Sequence, residues 1–270
     1  MLHFNGLIIF RQAEVKTYEP SPCLLSLSYP TQELTFLKNR DKCFQYAQSD
    51  FLSVGGCMWN DIEQGFQIAF SEAWEAYKNN TIPIGVAILD TEGDVMATGR
   101  NQVSADGDGL LKYHQIAHAE INAILKLSEI KDENIHKNIR TYTLYSTMEP
   151  CPLCFGAVVM GSIRNVKYAA RDNWAGATSL NESIDYIKNK NITVSGPYAE
   201  LEMVPIAMQT YYELQACNPR TADILLTNWR KINETGVTAG ELLFKNNILE
   251  NMTQKSFCDV YNVILSTGTD

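Results

Sequence analysis

Three residues of this 270-residue chain have the types and spacing of a metal site: His118, and the pair in Pro150-Cys151-Pro152-Leu153-Cys154. Zinc takes cysteine sulfur and histidine nitrogen, and a site with three protein ligands leaves the fourth position for water. A closed structural site would need a fourth ligand. The other histidines are His3, His114 and His136, and no further cysteine stands close to the pair in sequence. The open corner therefore reads as catalytic. Glu120 follows His118 by two residues, so on a helix its carboxylate sits near the metal without ligating it. Zinc lowers the pKa of bound water to about 7, and a carboxylate beside that water can take its proton and pass it on. Alone, Cys-x-x-Cys also fits a redox pair or a structural zinc knuckle, and His-x-Glu arises by chance. Their order and the prolines flanking Cys151 favour the open metal site.

His-x-Glu followed by Pro-Cys-x-x-Cys is the signature of zinc deaminases. On that motif and its flanks Gly99-Arg100-Asn101, Thr147-Met148-Glu149-Pro150 and Ala170-Arg171-Asp172, the chain resembles the cytidine and deoxycytidylate deaminase superfamily. Within it, the flanks look most like the branch of tRNA adenosine deaminase and guanine deaminase. The resemblance implies one Zn2+ per chain on His118, Cys151 and Cys154, and Glu120 as the proton carrier. It implies that Asn101 orients the substrate ring, with Ala119, Asp172 and Trp174 also at the substrate. The implied reaction is hydrolytic deamination of an amino-substituted nucleobase or nucleoside, and the implied assembly is a homodimer. Two departures bear on the substrate. Gln115-Ile116-Ala117 stands before His118 where the tRNA enzymes carry Asp-Pro and a small residue, and the loop holding Asp106-Gly107-Asp108-Gly109 is long for this branch.

Elements that would position these residues can be read from periodicity. Ile62, Phe66, Ala69, Phe70 and Ala73 recur at three and four, one face of a helix within residues 58–77. Ile84 to Leu89 and Val95 to Gly99, joined by Asp90-Thr91-Glu92-Gly93-Asp94, read as a hairpin, and Asn101 follows it. A helix runs on from His118, with Ile121, Ala123, Ile124, Leu125 and Leu127 apolar. Its partly positive N-terminus favours the Glu120 carboxylate. Thr141 to Tyr145 is β-prone, Cys151 to Met160 is helical, Arg164 to Ala169 and Ile192 to Ser195 are strands, and Leu201 to Leu214 is a helix. The alternation predicts an α/β fold: a three-layer α/β/α sandwich, cytidine deaminase-like, on a central five-stranded mixed sheet whose fourth and fifth strands are parallel because a crossover joins them. The Asp106–Gly109 tract reads as flexible, its acids solvated, and His114 as a loop residue.

The length suits a domain of about 150 residues with extensions. We assign residues 1–57 to an N-terminal extension with no readable motif, 58–216 to the deaminase-like domain, and 217–270 to a C-terminal extension. That extension is helical at Thr221 to Lys231, Thr238 to Asn247 and Ser256 to Leu265. Seven cysteines, with Cys23, Cys43, Cys57, Cys217 and Cys258 at irregular spacing, are no disulfide framework, and thiols with a thiolate site suit a reducing compartment. No charged, apolar leader is present and no window of about eighteen apolar residues exists. A cytoplasmic protein that does not engage membranes is expected. Net charge is −9, and residues 58–216 carry 12 Lys and Arg against 20 Asp and Glu. RNA-binding proteins usually show a basic footprint. The charge favours a small-molecule nucleobase or nucleoside over tRNA, which stays as the alternative, and a non-catalytic zinc scaffold is the third reading.

Overall fold

The computed structural model describes residues 58–216 and 218–268. The readings placed on residues 1–57, with His3, Cys23, Cys43 and Cys57, and on Cys217 lie outside the described residues.

Five strands form one sheet: β1 (Gly85–Leu89), β2 (Val95–Arg100), β3 (Thr143–Met148), β4 (Asn165–Ala170) and β5 (Thr193–Ser195), in the order β2-β1-β3-β4-β5. β1 is antiparallel to β2 and β3, while β3–β4 and β4–β5 are parallel. The sheet is mixed and five-stranded, as the alternation predicts. The hairpin turn is built by Asp90, whose Oδ1 accepts from the backbone N–H groups of Glu92 and Asp94 at 2.9 Å each. β1 is buried at each of its five positions, because helices cover both faces of the sheet.

On one face lie α1 (Gln64–Lys78) and α7 (Ala199–Gln215). On the other lie α2 (Ala119–Glu129) and α4 (Pro152–Met160), the latter being the crossover from β3 to β4. Between them come short helices, α3 (Glu133–Asn138), α5 (Leu180–Ser183) and α6 (Asp185–Lys188). This is the three-layer α/β/α sandwich. Helices approach the sheet closely: a Cβ on Gly99 of β2 would stand 2.2 Å from the Ala119 carbonyl oxygen, so only glycine lets α2 seat there.

The C-terminal helices are α8 (Pro219–Arg230), α9 (Glu234–Lys245), α10 (Ile248–Asn251) and α11 (Phe257–Thr267). They pack on the sandwich: Leu243 of α9 and Phe257, Tyr261 and Ile264 of α11 share one buried cluster with Phe66, Phe70 and Trp74 of α1. None of the described helices is long and apolar enough to cross a membrane.

The β-prone run at Thr141 to Tyr145 is displaced in the structure. Residues Ile139–Thr141 form a 3-10 turn, and the strand extends to Met148. Its last turn of sequence, Ser146-Thr147-Met148, is buried, which its two hydroxyls tolerate because each has a partner. Ser146 Oγ donates to Glu120 and Thr147 Oγ1 accepts from Gly85 N–H at 3.2 Å.

Candidate active site

His118 and Cys151 are the N-cap residues of α2 and α4, and neither side chain caps its own helix. Helix starts favour Ser, Thr, Asp or Asn at that position. An imidazole and a thiol there are turned to each other instead. Cys154, one turn into α4, completes the group: His118 Nδ1 stands 3.3 Å from its sulfur and 3.6 Å from that of Cys151. The three ligand atoms all lie within 4.8 Å of one another. Pro152, with no N–H to lose, opens α4 between the two sulfurs.

The donor set, one nitrogen and two sulfurs from half-buried to buried residues, fits zinc with a corner left open. The protonation pattern has the same cause. The Cys154 thiol donates to Cys151 and pulls its pKa down to about 4. Cys154 itself is pushed up by that bond and by burial, and His118 is held up by its bond to Cys151. A divalent cation held by these groups would instead keep both thiols deprotonated.

Glu120 lies beside this cluster, 4% exposed. It borders the Cys154 thiol, and its Oε1 accepts from Ser146 Oγ at 3.3 Å. Burial raises its pKa. Asn101, just past β2, is 1% exposed. Its Oδ1 is taken twice, by Thr81 Oγ1 at 2.8 Å and by Val103 N–H at 3.0 Å, which fixes the amide and turns its NH2 outward from those bonds. The Ala119 side chain is buried in the aliphatic cluster under the sheet. What it can offer a ligand is its backbone N–H in the first turn of α2, a donor that a helix leaves unpaired.

Asp172 and Trp174 sit on the loop after β4. Asp172 Oδ1 accepts from Trp174 N–H at 3.0 Å and Ala175 N–H at 3.1 Å, so this oxygen shapes the loop. Trp174 is 58% exposed. Sequence reasoning did not single out Glu149 as an anchor, yet it holds this loop. Its Oε1 accepts from Thr178 N–H and Oγ1, its Oε2 from Asp172 N–H at 3.4 Å, and Ala177 N–H bonds the Pro150 carbonyl at 3.0 Å. The residues just before Cys151 therefore pin the loop that carries Asp172 and Trp174.

The loop between Asn101 and His118 carries His114 and keeps its acids exposed, as expected, but it also ties those acids down. Its acids are paired: Asp108 with Arg100 at 2.8 Å and Lys126 at 2.7 Å, and Asp106 with Lys112 at 2.6 Å. His114 is exposed and turns the loop through its Nδ1, which accepts from Ile116 N–H at 3.3 Å.

Residues 59–170 match the cytidine and deoxycytidylate deaminase zinc-binding region. The chain is 27% identical over 120 residues to a cytosine deaminase of Candida albicans, covering 44% of this chain and 73% of that protein. It is 30% identical over 114 residues to a tRNA-specific adenosine deaminase of Rickettsia bellii, covering 42% of this chain and 72% of that protein. Among solved structures, guanine deaminase from Bacillus subtilis is 27% identical, with 45% of this chain and 68% of that chain covered and a TM-score of 0.33.

Proposed function

This chain belongs to the cytidine and deoxycytidylate deaminase family, and from that premise we propose that it hydrolytically deaminates a free nucleobase or nucleoside with a guanine-, adenosine- or cytosine-type ring. One observation carries the reading. A buried carboxylate, Glu120, stands against a His and two Cys whose ligand atoms converge within 4.8 Å. Zinc, held by His118, Cys151 and Cys154, supplies when bound a water activated at neutral pH. Glu120 would carry a proton from water to the ring nitrogen next to the amino-bearing carbon. The water oxygen would bond that carbon, the exocyclic carbon–nitrogen bond would break, and the remaining hydroxyl proton would leave with the amino group as ammonia. Burial suits Glu120 to both halves of the transfer, because a raised pKa lets one group act as base and then as acid. Ser146 holds Oε1. Asn101 donates its NH2 to an acceptor on the ring, and Ala119 N–H, Asp172 and Trp174 border the substrate.

The acidic balance of residues 58–216 supports a small substrate. The likeness to tRNA-specific adenosine deaminases favours a second reading, in which an adenosine of tRNA is splayed into the site. We further propose a cytoplasmic homodimer. Its contact face would be α4, which leaves Leu153 and Met160 exposed at 41% and 71%. We keep the division at residues 1–57, 58–216 and 217–270.

The test is ammonia release by the zinc-loaded chain from guanine, cytosine, adenosine and an unmodified tRNA anticodon stem-loop, with Glu120→Ala alongside. Release from one small molecule, absent in the variant, is the expected result. Release from the stem-loop alone would replace the first reading with the second. Undiminished turnover in Glu120→Ala would remove Glu120 from the chemistry.

A further inference from the structure

Asn122 lies one helical turn beyond His118, and its side chain is fully buried. Its backbone N–H bonds the His118 carbonyl at 3.0 Å, as the helix requires. Its side chain reaches out of the helix to both neighbours of Asn101. Nδ2 stands 3.3 Å from the Arg100 carbonyl oxygen and 3.4 Å from Gln102 Oε1. The same amide bonds both backbone groups of Leu111, donating to its carbonyl at 3.0 Å and accepting from its N–H at 2.9 Å.

Gln102 completes the arrangement. It is 1% exposed. Its Oε1 accepts from Gly109 N–H at 2.7 Å, its own N–H donates to the Ala117 carbonyl at 2.8 Å, and its carbonyl accepts from Tyr113 N–H at 2.9 Å. The glycines of the Asp-Gly-Asp-Gly tract are packed on these amides. A Cβ on Gly107 would stand 2.1 Å from Gln102 Nε2, and one on Gly109 would stand 2.0 Å from Gln102 Oε1 and 2.7 Å from Asn122 Cγ.

We propose that Asn122 is a positioning residue for the deamination, a clamp that fixes Asn101 relative to His118 and so sets the substrate ring against the metal. The reason is mechanical. Asn101 sits on a strand end and His118 on a helix start, sixteen residues of loop apart along the chain. Asn122 is rigidly attached to the helix and grips the residues on either side of Asn101. Its four polar contacts go to backbone or buried amide groups, and two of them bracket Asn101, the residue whose NH2 the proposed function sets on an acceptor of the ring.

This inference rests on that proposed function, and a double-mutant cycle separates the two. Asn122→Ala, Asn101→Ala and the double variant are assayed for ammonia release on the panel above, for zinc per chain, and for amide hydrogen exchange over residues 101–113. Alanine is a good helix former, so α2 is retained. A displacement of about 1 Å costs up to roughly a hundredfold in rate. Asn122→Ala is therefore expected to lower kcat/KM by about tenfold to a hundredfold, to keep its zinc, and to speed exchange over 101–113. In the Asn101→Ala background it should add less than about twofold, because contacting residues that act as one unit are not additive.

Equal losses in both backgrounds, zinc loss in step with activity, or unchanged exchange over 101–113 would each overturn the clamp. Full activity in Asn101→Ala alone would instead remove Asn101 from the ring and with it the premise. Should Asn122→Ala fail to fold, Asn122→Asp replaces it. That variant keeps the acceptor for Leu111 N–H, loses the donors to Arg100, Gln102 and Leu111, and is read by the same outcomes. Zinc content and exchange report on the clamp even where no compound of the panel is turned over.

Discussion

The two faces of the sheet are made of different materials. Against α1 and α7, Phe66, Phe70, Trp74, Tyr77, Tyr211, Phe257 and Tyr261 are buried together, and every aromatic ring pair found among the described residues lies on this side. Phe70 stacks on Phe257 at 5.6 Å between centroids, and Trp74 on Tyr77 at 5.0 Å. Against α2 and α4 the cluster is mostly aliphatic, with Val86, Ile88, Ala97, Ala119, Ala123 and Val158, and its two buried rings, Phe155 and Tyr142, form no ring pair among the described residues. The chemistry is on the second face. Holding His118 and Glu120 at fixed reach from β3 and from Cys151 needs close helix–sheet approach, and small residues such as Gly99, Ala119 and Ala123 permit it. The first face seats α1 just as closely, since a Cβ on Gly85 would stand 2.0 Å from the Ala69 carbonyl oxygen, but it carries no candidate ligand and its rings fasten α9 and α11 to α1.

That division predicts that damage to one face shows in activity and damage to the other in stability. The largest effect is expected of Cys154→Ser. Losing one thiolate of three should abolish zinc retention and ammonia release together. The chain should stay folded, because the aromatic cluster does not involve the ligands. Metal analysis, turnover and circular dichroism on the same sample check this, and a variant that keeps its zinc and its activity would break the assignment of the ligands. Phe70→Ala is the counterpart. Removing a buried aromatic ring costs about 3–5 kcal/mol, so denaturant unfolding should shift by that order while kcat/KM of the remaining folded protein holds. If the activity falls with no loss of stability, the two faces are not separable.

The chemistry was more legible in the sequence than its supports. His118, Glu120, Cys151 and Cys154 are rare types at short spacings, and no packing argument is needed to see them. The strands of the hairpin and the helices read from period because one face or both are apolar. The limits of β3 did not, since Ser146 and Thr147 look like loop residues until Glu120 and Gly85 are placed beside them. The acid-glycine tract looks flexible by composition and is in fact held by Gln102, which bonds Gly109 seven residues away, and by Lys126, which pairs with Asp108 across eighteen. Glu149 is similar. Its partners Asp172 and Thr178 lie twenty-three and twenty-nine residues away, and nothing local marks it as an anchor.

Thr178→Val sharpens the comparison on the active face, since it changes no ligand. It removes the hydroxyl that donates to Glu149 and leaves one oxygen of that carboxylate with the backbone bond alone. A hydrogen bond to a charged group is worth about 1.5–3 kcal/mol. Part of that loss should appear as a several-fold rise in KM as the loop carrying Trp174 loosens, with kcat less affected. Steady-state kinetics would show it, and an unchanged KM would mean that this loop does not border the substrate.

The smallest effect separates stability from chemistry within α7. Glu213 is 9% exposed, no cation or hydrogen-bond donor of the described residues pairs with its carboxylate, and burial raises its pKa. The folded state therefore binds the proton more tightly than the unfolded chain, so the contribution of Glu213 to stability falls as pH rises from its unfolded value, about 4.3, through its raised folded value. Glutamine carries no charge to desolvate. Glu213→Gln should match the parent chain in thermal midpoint near pH 4 and exceed it at pH 7 to 8, by about 1–4 °C for a chain of this size. Kinetics should be unchanged, because the site already has its proton carrier in Glu120. A thermal scan across pH decides the matter. A gain that persists undiminished at pH 4 would have to come from packing rather than ionisation, and a loss of activity would show that α7 reaches the substrate as well as the core.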